Sequence, residues 1–312
     1  QDQRAVVYSG EDARFEYIYK FVSRDPIAPA AEGQTAAQAN AQLLDHGTLY
    51  VARFDANGSG VWLPLQHCQG GLTAENGFAD QGEVLIKARQ ASDLLGATKM
   101  DRPEWVAIDP HSRWVYCALT NNSARGVRGN PGADAANPRA NNTMGQIIRW
   151  LEEGDFSGTR FEWNHLLLAG DPDNERAEAK GNIVGDAFSC PDTLAFDARG
   201  LLWIGTDVGS TSLGKGEMAR LGNNQLLACN PDTGEVRRFL TGPVGCELTG
   251  ATFTPDGRNL FVNIQHPGES PSERSDPANP RRLSNWPDFN PVGRPRSATV
   301  AIRRVDGGVI GS

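Results

Sequence analysis

The stretch Ser189-Cys-Pro-Asp-Thr-Leu-Ala-Phe-Asp-Ala-Arg-Gly-Leu-Leu-Trp-Ile-Gly-Thr-Asp207 decides the fold of this 312-residue chain. Leu194 and Phe196, then Leu202 and Ile204, mark two short apolar strands, with Arg199-Gly200 at the turn between them. Asp192 stands before the first strand's apolar residues and Asp207 just after the second strand. Antiparallel pairing therefore brings both carboxylates to one end of the hairpin. The pattern recurs in Arg102-Pro-Glu-Trp-Val-Ala-Ile-Asp109 and in Gly245-Cys-Glu-Leu-Thr-Gly-Ala-Thr-Phe253, with Glu104 and Glu247 at the matching place.

Working outward, strand patterns group into blade-like sets at about 5–66, 102–169, 189–241 and 245–312. The last set is expected to end with a strand at 298–303 and another at 308–310. Asp80 is expected to cap one helix running to Gly96, an insert at about 80–96. Consecutive antiparallel sets that each restart the same hairpin predict an all-β chain with a β-propeller fold, of about four blade-equivalents. A sandwich would not need the motif to restart.

Composition narrows the function. The net charge of −8 argues against a nucleic-acid partner, whose phosphates would be repelled, and is compatible with multivalent cations. Cys68, Cys117, Cys190, Cys229 and Cys246 are scattered without a C-x-x-C pair, which argues against a zinc knuckle or disulfide framework. Cys117 and Cys229 read as core thiols. No run reaches the length of a membrane span. The chain opens Gln1-Asp-Gln-Arg without an initiator Met or a signal sequence, which reads as a processed chain or a piece of a longer one. No P-loop, dinucleotide fingerprint or Gly-x-Ser-x-Gly elbow occurs.

In a propeller the first strand of each blade lines the central channel. Glu104, Asp192 and Glu247 would then share one mouth, and the returning strands would bring Asn121 or Asn122, Asp207, and Gln265 or His266 beside them. Such oxygen donors and an imidazole suit calcium, magnesium, manganese or oxidised iron. The competing reading is that polar residues at blade starts only tie strand to turn, as Asp109 and Asp197 are expected to do. Arg102, Lys20 and Arg4 are candidate cationic groups for an anionic substrate. Asn141-Asn142 and Gly222-Asn-Asn-Gln225 are lesser candidates as amide donors.

At these residues a family comes into view. Glu11-Asp-Ala-Arg-Phe-Glu-Tyr-Ile-Tyr-Lys-Phe-Val22, Gly47-Thr-Leu-Tyr-Val-Ala-Arg-Phe54, Ala97-Thr-Lys-Met-Asp-Arg-Pro-Glu104, Phe188-Ser-Cys-Pro-Asp192, Gly245-Cys-Glu-Leu-Thr-Gly250 and Asn263-Ile-Gln-His-Pro-Gly-Glu269 closely resemble the PhoX-type alkaline phosphatases. The likeness covers nearly the whole chain and includes Arg294-Pro-Arg-Ser-Ala-Thr299. The resemblance implies a six-bladed propeller, periplasmic or extracellular, that hydrolyses phosphomonoesters with a calcium and iron cluster at the channel mouth. It implies Glu104 and Glu247 as metal ligands, with Asp192 and Asp207 behind them, and Arg102 and His266 near the substrate.

The chain also departs from the family. The family's stretch with a metal-binding cysteine, Asn-Cys-Ala-Gly-Gly-like, and the following Cys-Glu-Glu-Asn-like segment have no counterpart here. Cys68-Gln-Gly-Gly71 lies between later motifs. The chain therefore resembles the C-terminal part of such an enzyme. The expected partners are a phosphomonoester and either a second chain supplying the missing N-terminal blades or a homo-oligomer. The alternative is a non-catalytic propeller fragment acting as a binding or structural module. A lactonase-like calcium propeller would share the acidic ring.

Overall fold

In the computed structural model, residues 3–270, 272–273, 276–290 and 292–312 are described. The chain divides into two compact units. The first comprises Gln1–Pro103, Asp134–Pro138 and Trp150–Asn164, and the second comprises Glu104–Ala133, Arg139–Arg149 and His165–Ser312.

The first unit contains the antiparallel meander β1 (Arg4–Gly10), β2 (Ile18–Pro26), β3 (Gly47–Phe54) and β4 (Ser59–Pro64). The four-residue α1 (Ala36–Ala39) sits in the excursion between β2 and β3. The expected single helix is two, α2 (Gln81–Ile86) and α3 (Ala88–Leu95). Asp80 caps α2, accepting from the backbone N–H of Glu83 at 2.9 Å, and Gly96 ends α3 at φ 71°. Lys87, at φ −100° and ψ 33°, breaks the run. Its Nζ is held 2.9 Å from the Gly77 carbonyl. Apolar spacing continues across the break, because Val84 and Ala91 pack into one core with Tyr17, Val51, Leu65, Leu72 and Phe78.

The same unit buries a charge. Lys20 is 0% exposed; its Nζ lies 3.4 Å from Glu152 Oε1, which also accepts from Tyr8 Oη at 2.7 Å and Trp62 Nε1 at 3.0 Å. Lys20 therefore serves the core of the first unit, which corrects its place among cations offered to a substrate.

In chain order follow β5 (Pro103–Ile108), β6 (Val115–Leu119), β7 (Gln146–Glu152) and β8 (Arg160–Leu168), hydrogen-bonded as neighbours in the order β8-β7-β6-β5. The boundary between the units passes through β5, β7 and β8. The next sheet is the meander β10 (Pro191–Phe196), β11 (Leu202–Thr206), β12 (Gln225–Cys229) and β13 (Glu235–Thr241). A two-residue strand, β9 (Val184–Gly185), lies parallel to the outer edge of β13. The last sheet is β14 (Glu247–Phe253), β15 (Asn259–Gln265) and β16 (Ala298–Arg303).

Residues 308–310, expected as a further strand, do not form one. Gly307 at φ 71° and Gly311 at φ 70° bend the backbone on either side. The segment instead plugs the core: Ile310 is buried against Trp203, and its N–H bonds the Gly257 carbonyl at 2.9 Å. Trp203 anchors that core, 5.0 Å from the Phe239 ring and 5.1 Å from the Phe253 ring. Each such pair contributes about 0.5–1.5 kcal/mol beyond simple burial.

The chain is all-β in class, with the strand sets of a β-propeller. The turn roles expected of two acids hold. Asp109 accepts from the N–H of His111 and the hydroxyl of Ser112. Asp197 accepts from the N–H groups of Arg199 and Leu201, from the Arg199 guanidinium and from Trp203 Nε1. Cys117 and Cys229 are buried core thiols. Burial pushes the Cys229 thiol up to about 12.

Candidate functional site

The three repeated starts share one backbone device. Arg102 (φ 54°), Cys190 (φ 52°) and Gly245 (φ 70°) adopt the left-handed conformation, each two residues before an acid. For Arg102 and Cys190 this costs about 1 kcal/mol or more, and such strain persists only where the surroundings impose it. Cys190 is held by hydrogen bonds from its N–H to the Met144 carbonyl at 2.7 Å and from the Asp207 N–H to its own carbonyl at 3.0 Å. Gly245 has no alternative: a Cβ there would stand 2.7 Å from the carbonyl oxygen of Glu269. The bend turns the incoming chain into the strand and sets the following acid at the strand's start.

Within the second unit, Asp192, Asp207, Glu247 and His266 converge. Glu247 pairs in register with Gln265, whose side-chain amide donates to Glu247 Oε2 at 2.8 Å. His266 Nε2 lies 3.5 Å from the same oxygen, and its Nδ1 lies 3.3 Å from the Gly245 carbonyl. The His266 N–H, at a left-handed φ of 37°, donates to Ser297 Oγ. Burial pushes the Glu247 carboxyl above its ordinary range, and the nearby Asp207 charge pushes it further. His266 and a hydrogen bond with Asp192 act in the opposite sense. Two carboxyl groups in hydrogen-bonding contact must share a proton or a cation.

Asp192 is almost wholly buried, and Thr120 Oγ1 donates to its Oδ1 at 3.3 Å. Thr120 follows β6, whose neighbour in the sheet, β5, carries Glu104 as its second residue. Glu104 is also near enough to Cys117 to add its charge to the burial that raises this thiol. Arg102 belongs to the first unit, where Asp12 holds its guanidinium at two points, each 2.8 Å long.

Two of the asparagines proposed as amide donors, Asn142 and Asn224, serve the scaffold. Asn142 is buried, accepting from the Gly145 N–H at 3.0 Å and donating to Gln146 at 2.6 Å. Asn224 is buried and bonds Thr206, Val208 and the Cys246 carbonyl. Thr120 went unrecognised in the sequence, where a threonine after a strand carries no signal. The Thr193–Thr249 hydroxyl pair, 3.1 Å apart on strands β10 and β14, was equally silent.

The donor chemistry fits a hard cation: three carboxylates and an imidazole at one place, with a buried carboxylate facing another acid. Among the described residues, no three His, Cys, Asp or Glu side chains are arranged as a ready metal cage. Beside His266 opens a cleft of about 370 Å³, walled by Pro267, Pro280, Leu283 and Pro295. The cleft's two arginines, Arg282 and Arg296, are paired with Glu273 and Asp288.

Comparison with known proteins bears on this arrangement. No curated protein matches the chain. The structure of Pseudomonas fluorescens PhoX in complex with vanadate, a transition-state analogue, is 46% identical and superposes with a TM-score of 0.88. The match covers 100% of this chain and 53% of that one, so the chain spans about half the length of that protein. A gluconolactonase from Xanthomonas campestris shares 14% identity over 80% of this chain and 51% of its own, at a TM-score of 0.29, too low to carry an argument. The family model described as alkaline phosphatase PhoX matches residues 1–268. The chain belongs to the PhoX alkaline phosphatase family.

Proposed function

We propose that the chain is part of a metal-dependent phosphomonoester hydrolase and carries the acidic portion of its site. Family membership over residues 1–268, with a PhoX structure 46% identical across the whole chain, carries this reading. Glu247, Asp192 and Asp207 would hold the cations, with Glu104 contributing from the start of β5. Calcium and iron, when bound, would neutralise phosphate oxygens and activate the attacking water. His266 Nε2, oriented through Nδ1 by the Gly245 carbonyl, is the atom to exchange a proton with the leaving oxygen. The cleft beside His266 would take the organic part of the ester. The proposed location is periplasmic or extracellular, which cell fractionation would test.

The test is metal content and p-nitrophenyl phosphate hydrolysis, for the purified chain alone and within a complete assembly. Alanine at Glu104 or Glu247 is expected to abolish activity of the assembly, and full retention of rate would refute the assignment. A second reading follows from the 53% coverage: the chain is a non-catalytic binding or structural module, or a subunit completed by another chain. Metal-free, inactive and oligomeric material would favour that reading.

A further inference from the structure

Excursions between strands meet behind the turn that starts β10. They are residues 120–145, between β6 and β7, residues 169–190, between β8 and β10, and residues 207–224, between β11 and β12. Their side chains close into a ring. Arg176 grips both carboxylate oxygens of Glu217, through Nε to Oε1 and through Nη2 to Oε2 at 2.9 Å. Thr143 Oγ1 sits between the two, accepting from Arg176 Nη2 at 2.8 Å and donating to Glu217 Oε2 at 2.8 Å. Met218, next in the chain after Glu217, is buried, and its sulfur accepts from Ser189 Oγ at 3.0 Å. The ring is completed at Cys190. Its Sγ donates to the Thr143 carbonyl at 3.5 Å, and its N–H donates to the Met144 carbonyl at 2.7 Å.

These links converge on one strained residue. Cys190 holds φ 52°, unfavourable for a residue with a side chain, and relaxing it would swing Asp192, two residues on. A carbonyl can hold Cys190 there only if the carbonyl is itself fixed. The Thr143 hydroxyl, bonded on both sides, pins the residue that supplies it. Gly145 presses on the same turn, since a Cβ there would stand 2.8 Å from Pro191 Cδ. A two-point arginine–carboxylate pair fixes orientation, and its charged hydrogen bonds are roughly twice as strong as neutral ones. The Arg176 and Glu217 side chains are 25% and 32% exposed, so water and salt screen them less than a surface pair. A surface pair spans the same two excursions outside the ring: Arg220, 71% exposed, reaches Asp171 at 3.2 Å.

We infer that Thr143, Arg176 and Glu217 are positioning residues for Asp192: they brace the Cys190 turn and so hold that carboxylate where a cation binds. The part Asp192 plays in cation binding rests on the function proposed above, whereas the brace itself does not. The three residues act through Cys190 rather than on the substrate. When the turn is braced, the binding-competent arrangement of Asp192 dominates. When it is not, the apparent affinity for the cation falls by the fraction of molecules in which the turn has relaxed. The exposed reaches of the excursions, such as 127–130, lie outside the ring.

The experiment compares wild type with Thr143→Val, Thr143→Ser, Glu217→Gln and Arg220→Ala, all carrying Cys68→Ser to remove the exposed thiol. One readout is the rate of Cys190 alkylation in chelator, resolved by peptide mass mapping. The other is the apparent calcium affinity, from the rise of melting temperature with calcium concentration. Thr143→Val removes the hydroxyl at nearly constant volume, and Cys190 alkylation should speed up at least about tenfold. The apparent calcium affinity should weaken about fivefold. Glu217→Gln should shift both readouts in the same direction, and it decides the matter if Thr143→Val does not fold. Thr143→Ser restores the hydroxyl, and Arg220→Ala removes only the surface pair, so both should stay within about twofold of wild type. Wild-type alkylation rates in Thr143→Val and Glu217→Gln overturn the brace. A turn that opens in these variants while calcium affinity is unchanged overturns its link to Asp192. If calcium leaves the wild-type melting temperature unmoved, the cation reading of the acids fails. Cys190 alkylation, with exchange of the Asp207 N–H bonded to the Cys190 carbonyl, then still decides the brace.

Discussion

Asp197 and Glu247 are both carboxylates at the ends of apolar strands, and their surroundings drive them in opposite directions. Burial works against ionisation of Asp197. Its bonds from the Arg199 side chain, two backbone N–H groups and Trp203 outweigh that and hold it below the usual carboxylate range. A carboxyl with a lowered folded-state pKa stabilises the protein fully above its unfolded value, about 3.9. That contribution is lost as pH falls through the lower folded value. Asp197→Asn is therefore expected to cost about 1–3 kcal/mol at pH 7 in urea unfolding. It should also flatten the loss of stability that wild type shows on acidification below about pH 4. At Glu247 burial and the Asp207 charge work together against ionisation. In chelator, Glu247→Gln should raise the melting temperature by about 2–4 °C, the shift that ~1 kcal/mol gives in a domain of this size. Calcium should raise the melting temperature of wild type and fail to do so in the variant.

At the scale of elements, strands were the legible part. Period-two runs closed by Asp-x-x-Gly or Asn-Pro-Asp turns placed β16 correctly to the residue and most other strands to within one or two. The hairpin logic also delivered Asp192, Asp207, Glu247 and His266 to one place, because strand parity and turn position fix which end a residue occupies. Three features escaped. Lys87 splits a helix whose apolar spacing never falters, since only backbone geometry at that residue differs. The two-residue β9 is recruited by its neighbour β13 rather than by any propensity of Val184-Gly185. The apolar Val309-Ile310 pair reads as a strand, yet flanking glycines turn it inward. Helix α2 depends on its cap in a way the sequence did announce. Asp80→Ala is expected to cost about 1 kcal/mol, measured by equilibrium unfolding, with no change in calcium response.

For the molecule as a whole, the long excursions between strands touch the acids only at their ends, through Thr120 at Asp192 and Met144 at Cys190. Glu104, Asp192 and Glu247 are each placed by the left-handed residue two positions upstream and by the ladder of their own strand. Exchanging the exposed stretch Val127-Arg-Gly-Asn130 for four glycine and serine residues should thus leave the calcium-induced rise in melting temperature unchanged within about 1 °C. A larger change would show that the loop helps hold the acids. The recurrent kink at Arg102, Cys190 and Gly245 acts as a local address, independent of how far apart the repeats lie along the polypeptide. Descendants of such a chain can lengthen, shorten or trade their surface excursions, and so explore new esters, while the charge geometry beneath is inherited intact.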